Sequence, residues 1–408
     1  MRAAYVIWIE ALESPILKGQ VIEILEKMGN NFSKSSTLYF FAFQPAHHIL
    51  LHYRKIQNIK KELKNNNINL IIIPCFILPR FINWFNAKWY IIPLIFIYTF
   101  PALLFLGIIK NIKLFHCRSY PITLSALAVK KLIKTRVIFD PRSDFPEENI
   151  TAGRWTDSSL SYKIWKYLEK RYLIESDVII VIANTYVEYF KKIFPNSRFA
   201  IIPNNVDVKK FKFNNKFRQK FRIENGIRKD EILFCYSGSL GNHWHKPEIY
   251  AKFIIKLRKL SITHRFLFIT PNVDTLKKIF NQLNIRQGEY IAVSSEFWDV
   301  PKYLSVADFG LIFMDRFKIA MAIKTAEYLT MGLPVITNSE VMGAKEIINQ
   351  YKIGLVLKDI ENINMEEIEN IIKQKKELTL KCRKIACENF SNEKIAKQYI
   401  QIYKKLTG

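Results

Sequence analysis

Lys324 and Glu327 are the two charges in the otherwise apolar run Ile323-Lys324-Thr325-Ala326-Glu327-Tyr328-Leu329-Thr330-Met331-Gly332-Leu333-Pro334-Val335-Ile336. Three residues apart, they share one helical face. A carboxylate is an acceptor-only group suited to two adjacent hydroxyl donors, and a cation beside it suits phosphate; a plain surface ion pair is the alternative. A second group comprises His116, Arg118, Asp140 and Arg142, at the ends of two predicted strands. Such crowding of charge is costly unless a ligand or mutual pairing satisfies it, and structural ion pairing inside the domain is the alternative there. A third is Tyr236-Ser237-Gly238-Ser239-Leu240-Gly241-Asn242, whose small residues let backbone amides approach a diphosphate or a sugar, with Gly238, Ser239 and Gly241 as the candidates. Phe297 and Trp298 offer a face to a base, or pack under their own loop. Ser14 follows the first predicted strand. His243 and His245 lack a third ligand or a carboxylate pair, so no metal is expected.

The elements that must position these residues are legible as apolar runs alternating with helical patterns, which implies parallel sheets in an α/β protein. In the first half the predicted strands are Tyr5–Ile9, Leu38–Phe43, Leu70–Cys75, Leu114–Cys117, Val137–Asp140, Val178–Ile182 and Phe199–Ile202. The series restarts with Ile232–Tyr236, Phe266–Ile269, Tyr290–Val293, Phe309–Phe313, Val335–Ile336 and Gly354–Leu357. That restart predicts two doubly wound, Rossmann-like domains, 1–204 and 205–390, with a last helix at 391–408. In such sheets ligands sit beyond the carboxyl ends of the strands. Gly332 is placed to end its helix in a left-handed conformation, and Pro334 forces the turn into the following strand.

With those residues in view, the 323–336 run resembles the donor-site signature of retaining nucleotide-sugar glycosyltransferases of the glycogen-synthase-like group (family 4 type), which typically read Lys-x-x-Glu-Tyr-Leu-Ala-x-Gly-x-Pro-Val-Ile. The resemblance implies a GT-B fold, two Rossmann-like domains facing across a cleft. It implies that Glu327 grips the ribose hydroxyls, while the helix start and Lys324 hold the diphosphate of a UDP- or GDP-sugar. Pro203-Asn204-Asn205-Val206-Asp207 is similar to the family's interdomain hinge, with Asn205 in place of glycine, and the last helix would cross back onto the first domain. Leu114–Tyr120 and Phe139–Glu148 look like segments of bacterial polysaccharide-building members, which makes His116, Arg118 and Arg142 catalytic candidates and Asp140 and Arg142 acceptor-side candidates. Lys324 joins the catalytic candidates through its place at the diphosphate, and Ser14 joins the acceptor-side candidates because Ser14 to Gln20 falls where relatives place a loop under the donor sugar. Where many members carry a second glutamate for the donor sugar this chain has Ile319, and Asp315 is the nearby acid. The family works without a metal, so no cofactor is expected.

Charge placement adds a partner. Of the 408 residues, 62 are Lys or Arg and 36 Asp or Glu, a net charge of +26. Leu51 to Arg136 alone holds fourteen bases and one acid, Glu62. Inside that basic stretch Trp89 to Ile109 carries no charge, flanked by Lys88, Lys110 and Lys113. A membrane span, a buried core helix and an interfacial segment compete for this run. Trp84, Trp89 and Tyr90 at the headgroup level with cations around them favour the interfacial reading. Nucleic acid would also answer the charge, but no nucleic-acid-binding motif accompanies it. Five scattered cysteines read as free buried thiols of a reducing compartment. The sequence thus predicts a cytoplasmic, membrane-peripheral retaining glycosyltransferase with a lipid-linked saccharide acceptor, in lipopolysaccharide, capsule or exopolysaccharide assembly. A nucleotide-sugar epimerase of the same fold and a non-catalytic nucleic-acid- or lipid-binding protein are the rivals.

Overall fold

The computed structural model describes residues 1–32, 36–76, 88–241, 245–314 and 323–408. Trp84, Asn242, His243, Trp244, Asp315, Ile319 and Ala322 lie outside the described residues. The chain divides into two compact units, residues 1–203 with 392–408, and residues 204–391.

The first unit is built on seven parallel strands: β1 (Arg2–Trp8), β2 (Thr37–Pro45), β3 (Ile68–Cys75), β4 (Leu114–Arg118), β5 (Arg136–Asp140), β6 (Val178–Val181) and β7 (Phe199–Ile201). Their order is β3-β2-β1-β4-β5-β6-β7. Direction along the sheet reverses between β1 and β4, so the crevice rule points to the carboxyl ends of that pair. The core on one face joins Tyr5, Ile7, Phe40, Leu114 and Ile138 to Ile395, Ala396, Tyr399 and Tyr403 of the last helix, Asn392–Thr407. Asn392 Nδ2 donates to the buried Glu23 at 2.9 Å, which fixes the start of that helix.

Helix Ile91–Ile109 rejects the buried-core reading. It packs through the single stripe Ile95, Thr99, Leu103 and Gly107, spaced four apart, with Thr99 Oγ1 at 2.5 Å from Ser125 Oγ of helix Tyr120–Leu132. Only 22% of its apolar window is buried at a mean hydropathy of 2.3, a length and composition sufficient to cross a membrane. Ile97, Phe105, Ile108 and Ile109 are exposed, as are Trp89 and Tyr90 before it.

The second unit repeats the plan with β8 (Ile232–Ser237), β9 (His264–Ile269), β10 (Tyr290–Val293), β11 (Phe309–Ile312), β12 (Val335–Asn338) and β13 (Gly354–Leu357), in the order β10-β9-β8-β11-β12-β13. All pairs are parallel, and the reversal falls between β8 and β11. At the opposite end of the sheet, buried Asp308 accepts from Arg218 and Lys375 at 2.9 Å each and from the Leu233 amide at 2.9 Å. The cysteines are free; four are buried as predicted, and Cys387 is exposed.

Candidate functional site

In the second unit the predicted residues gather at the β8/β11 reversal. Gly238 leaves β8 with φ +135° and Gly241 follows with φ +78°, conformations open chiefly to glycine. A methyl group on Gly238 would lie 2.4 Å from Lys324 Cε and 2.9 Å from its Nζ, so the lysine rests directly on the glycine turn. Its ammonium also stands 5.5 Å from the centroid of the Tyr236 ring. Tyr236 Oη in turn donates to the Ser239 carbonyl at 2.9 Å, holding the turn closed.

Lys324 and Glu327 ride on helix Ile323–Thr330, which follows β11. Tyr328 anchors that helix from below: its hydroxyl accepts from the Ser237 amide at 2.8 Å, and its ring occupies the space a side chain on Gly310 would fill, at 2.3 Å. The helix ends in a Schellman turn, with Gly332 at φ +76°, its amide on the Leu329 carbonyl at 3.0 Å and the Leu333 amide on the Tyr328 carbonyl at 2.9 Å. Glu327 is buried, 9% exposed. Burial pushes its carboxyl up to about 6, against the opposing pull of the Lys324 charge. Phe297 is half-buried and meets the exposed Trp298 edge to face at 5.0 Å, and Lys210 lies 5.1 Å over the Trp298 ring.

In the first unit, His116, Arg118, Asp140 and Arg142 do come together. His116 Nε2 is 3.1 Å from Asp140 Oδ2 and its Nδ1 is 2.7 Å from Tyr403 Oη. Arg118 Nε donates to both oxygens of Glu10 at 2.9 Å, and Arg142 Nε lies 3.7 Å from Asp140 Oδ2. Burial works to raise the Asp140 carboxyl, but the Arg142 charge and the His116 hydrogen bond carry it below the usual carboxylate range. Burial lowers His116. Three buried polar atoms of this cluster, Arg118 Nη1, Arg142 Nη1 and Asp140 Oδ1, have no hydrogen-bond partner among the described residues. The chain is also strained here. Ile9 (φ 44°), Ser119 (φ 72°) and Arg142 (φ 60°) are non-glycine residues in left-handed conformations just past the ends of β1, β4 and β5, a distribution typical of ligand-binding ends.

Comparison with known proteins separates fold from family. Residues 280–400 match the model of the Glucosyltransferase 3-like, C-terminal domain. No curated protein sequence matches the chain. Among solved structures, a glycosyltransferase from Rickettsia africae is similar at a TM-score of 0.70 and 14% identity, over 99% of this chain and 98% of that one. Sucrose-phosphate synthase from Thermosynechococcus elongatus gives 0.69 and 13%, over 99% and 98%. HepE from Anabaena, solved in complex with UDP, gives 0.66 and 12%, over 99% and 100%. Domain match and fold together decide the class. The chain is a glycosyltransferase of GT-B fold.

Within this glycosyltransferase several sequence-based assignments change. His116, a catalytic candidate, is 0% exposed with both ring nitrogens engaged, Nε2 toward Asp140 and Nδ1 toward Tyr403. Ser14, an acceptor-side candidate, is occupied as a helix cap, its Oγ accepting from the Leu17 amide at 3.1 Å. The segment from Ser14 to Gln20 is helical rather than a loop, with a π turn at Lys18–Ile22. His245 is buried, Nδ1 at 3.3 Å from the Phe313 carbonyl. Glu10 and Tyr403 belong to the polar cluster and were missed. Glu10 follows an apolar run with nothing beside it in sequence to mark a partner, and Tyr403 lies 287 residues from its partner.

Proposed function

We propose that this glycosyltransferase moves a sugar, with retention of configuration, from a UDP- or GDP-sugar to a lipid-linked saccharide at the cytoplasmic face of a membrane. The observation that carries the reading is the stacking of Lys324 on the Gly238 turn beside buried Glu327, at the reversal of the second sheet. Lys324 supplies positive charge where the diphosphate leaves, the place negative charge grows in the transition state. Glu327 accepts from the ribose hydroxyls, Gly238, Ser239 and Gly241 line the phosphate side, and Phe297 lies against the base. Arg118, Arg142 and Asp140 offer the acceptor their unpartnered donors and acceptor. The transfer itself needs no metal in this reading, and no enzymic nucleophile is assigned. HepE, whose solved complexes include UDP and UDP-glucose, shares the fold, and WaaG, a glycosyltransferase of lipopolysaccharide biosynthesis, does so at a TM-score of 0.60 and 14% identity.

Support for a membrane surface comes from helix Ile91–Ile109, whose exposed apolar side ends beside Lys110 and Lys113. A pocket lined by Lys113, Lys130, Lys131, Lys134 and Arg136 continues the basic surface. The test is transfer of labelled sugar from UDP- and GDP-sugars to lipid-linked saccharides in vesicles, with the anomeric configuration of the product read by NMR. Retained configuration in a lipid-extractable product supports the proposal. An inverted product, or release of free sugar with every acceptor, overturns it.

A further inference from the structure

Away from the donor site, the first unit holds a compact set of metal-ligating side chains. Glu13 lies in the loop after β1, His48 in helix Ala46–Leu51 after β2, and His52 at the joint between that helix and Tyr53–Asn65. Glu13 Oε1 is 2.9 Å from His48 Nε2 and 3.6 Å from His52 Nε2. The imidazole rings are 4.5 Å apart, and one ligand atom from each residue lies within 4.8 Å of the other two. A tetrahedral zinc ion with bonds of about 2.0–2.1 Å places its ligand atoms about 3.3 Å apart. The two Glu13–histidine spacings bracket that value, and the histidine ligand atoms, within 4.8 Å of each other, close onto an ion by side-chain rotation.

An ion pair alone leaves this cluster unsatisfied. Glu13 Oε2 and His48 Nδ1 are buried with no hydrogen-bond partner among the described residues. A cation chelated by both carboxylate oxygens uses the lone pairs of Oε2 as well as those of Oε1. The side chains are 19–35% exposed, enough for water to complete the coordination. Two imidazoles with one carboxylate favour zinc over magnesium or calcium, which prefer all-oxygen sites.

We infer that Glu13, His48 and His52 bind one zinc ion, which clamps the loop after β1 to the helix after β2. That loop carries Glu10, the carboxylate that holds Arg118 in the β4 cluster, so the clamp acts on the acceptor side and takes no part in bond breaking. The test uses the full chain, without a histidine tag and with exposed Cys387 replaced (Cys387→Ser), stripped by chelation and titrated with zinc against a chromophoric chelator. The expected result is one equivalent bound, weakened about tenfold or more by Glu13→Gln and by His52→Ala, with X-ray absorption reporting two imidazole nitrogens. Zinc should raise the melting temperature of the parent chain and not that of the His48→Ala/His52→Ala double variant. His52→Ala carries the test if the variants at His48 do not fold, since it is the more exposed histidine. Absence of a stoichiometric complex, or binding by the His52→Ala and Glu13→Gln chains as tight as the parent's, overturns the assignment.

Discussion

Glu327 concentrates the conflict between stability and use. Its carboxyl rises from 4.5 to about 6 because the protein around it replaces water, and that rise of about 1.5 corresponds to ~2 kcal/mol. For an acid raised on folding, the associated stability is present below about pH 4.5 and lost as pH climbs through about 6. Glu327→Gln should therefore raise stability by ~2 kcal/mol at pH 8 and by nothing measurable at pH 4, read from denaturant midpoints. The same change should abolish most transfer. In the parent chain the donor KM should climb as pH falls below about 6, because a protonated carboxyl accepts fewer hydrogen bonds from the ribose. Gly238 is tested by Gly238→Ala. The added methyl meets Lys324 Cε and sits at φ +135°, so donor affinity should fall about tenfold or more while Glu327 keeps its raised carboxyl, measured by nucleotide titration.

Elements were legible where the physics is local. Strands buried on both faces of a parallel sheet must be continuous apolar runs, and β1 to β13 fall on the thirteen runs so marked, with ends moved by a few residues. The turn at Gly332 was legible because only a left-handed residue followed by Pro334 closes that helix. What failed was ambiguous locally: the segment from Ser14 to Gln20 matched a loop of the relatives, yet a capping serine followed by proline also opens a helix. Other parts depended on distance along the chain. Nothing near His116 announces Tyr403, and Lys324 stands 86 positions after the glycine it covers. Asp308 gives an element-scale prediction. Held by Arg218, Arg222, Lys375 and the Leu233 amide, it braces the amino ends of β8 and β11, away from the donor residues. Asp308→Ala leaves buried Arg222 and the partly exposed Arg218 and Lys375 without their carboxylate and should cost about 3 kcal/mol, with nucleotide affinity unchanged at temperatures where the variant remains folded.

At the scale of the whole molecule, the proposed membrane surface combines the +26 charge with the exposed apolar helix Ile91–Ile109. Flotation with vesicles should recover the protein with anionic lipid at low salt and release much of it at high salt. Charge reversal at Lys110 and Lys113 should weaken recovery, and Phe105→Glu should weaken it further; recovery indifferent to all three changes and to salt would exclude this surface. The proposed function puts the donor on the second of the two sheets and the acceptor at the polar, strained strand ends of the first, and it depends on the Gly238–Lys324–Glu327 site holding a nucleotide. The most direct measurement is calorimetric titration of UDP and GDP into the parent chain and its Glu327→Ala variant at pH 8. One equivalent of one nucleotide should bind the parent, and the loss of a charge-assisted hydrogen bond of about 1.5–3 kcal/mol should weaken the variant about tenfold to hundredfold. Equal affinity in the two folded proteins would contradict the account.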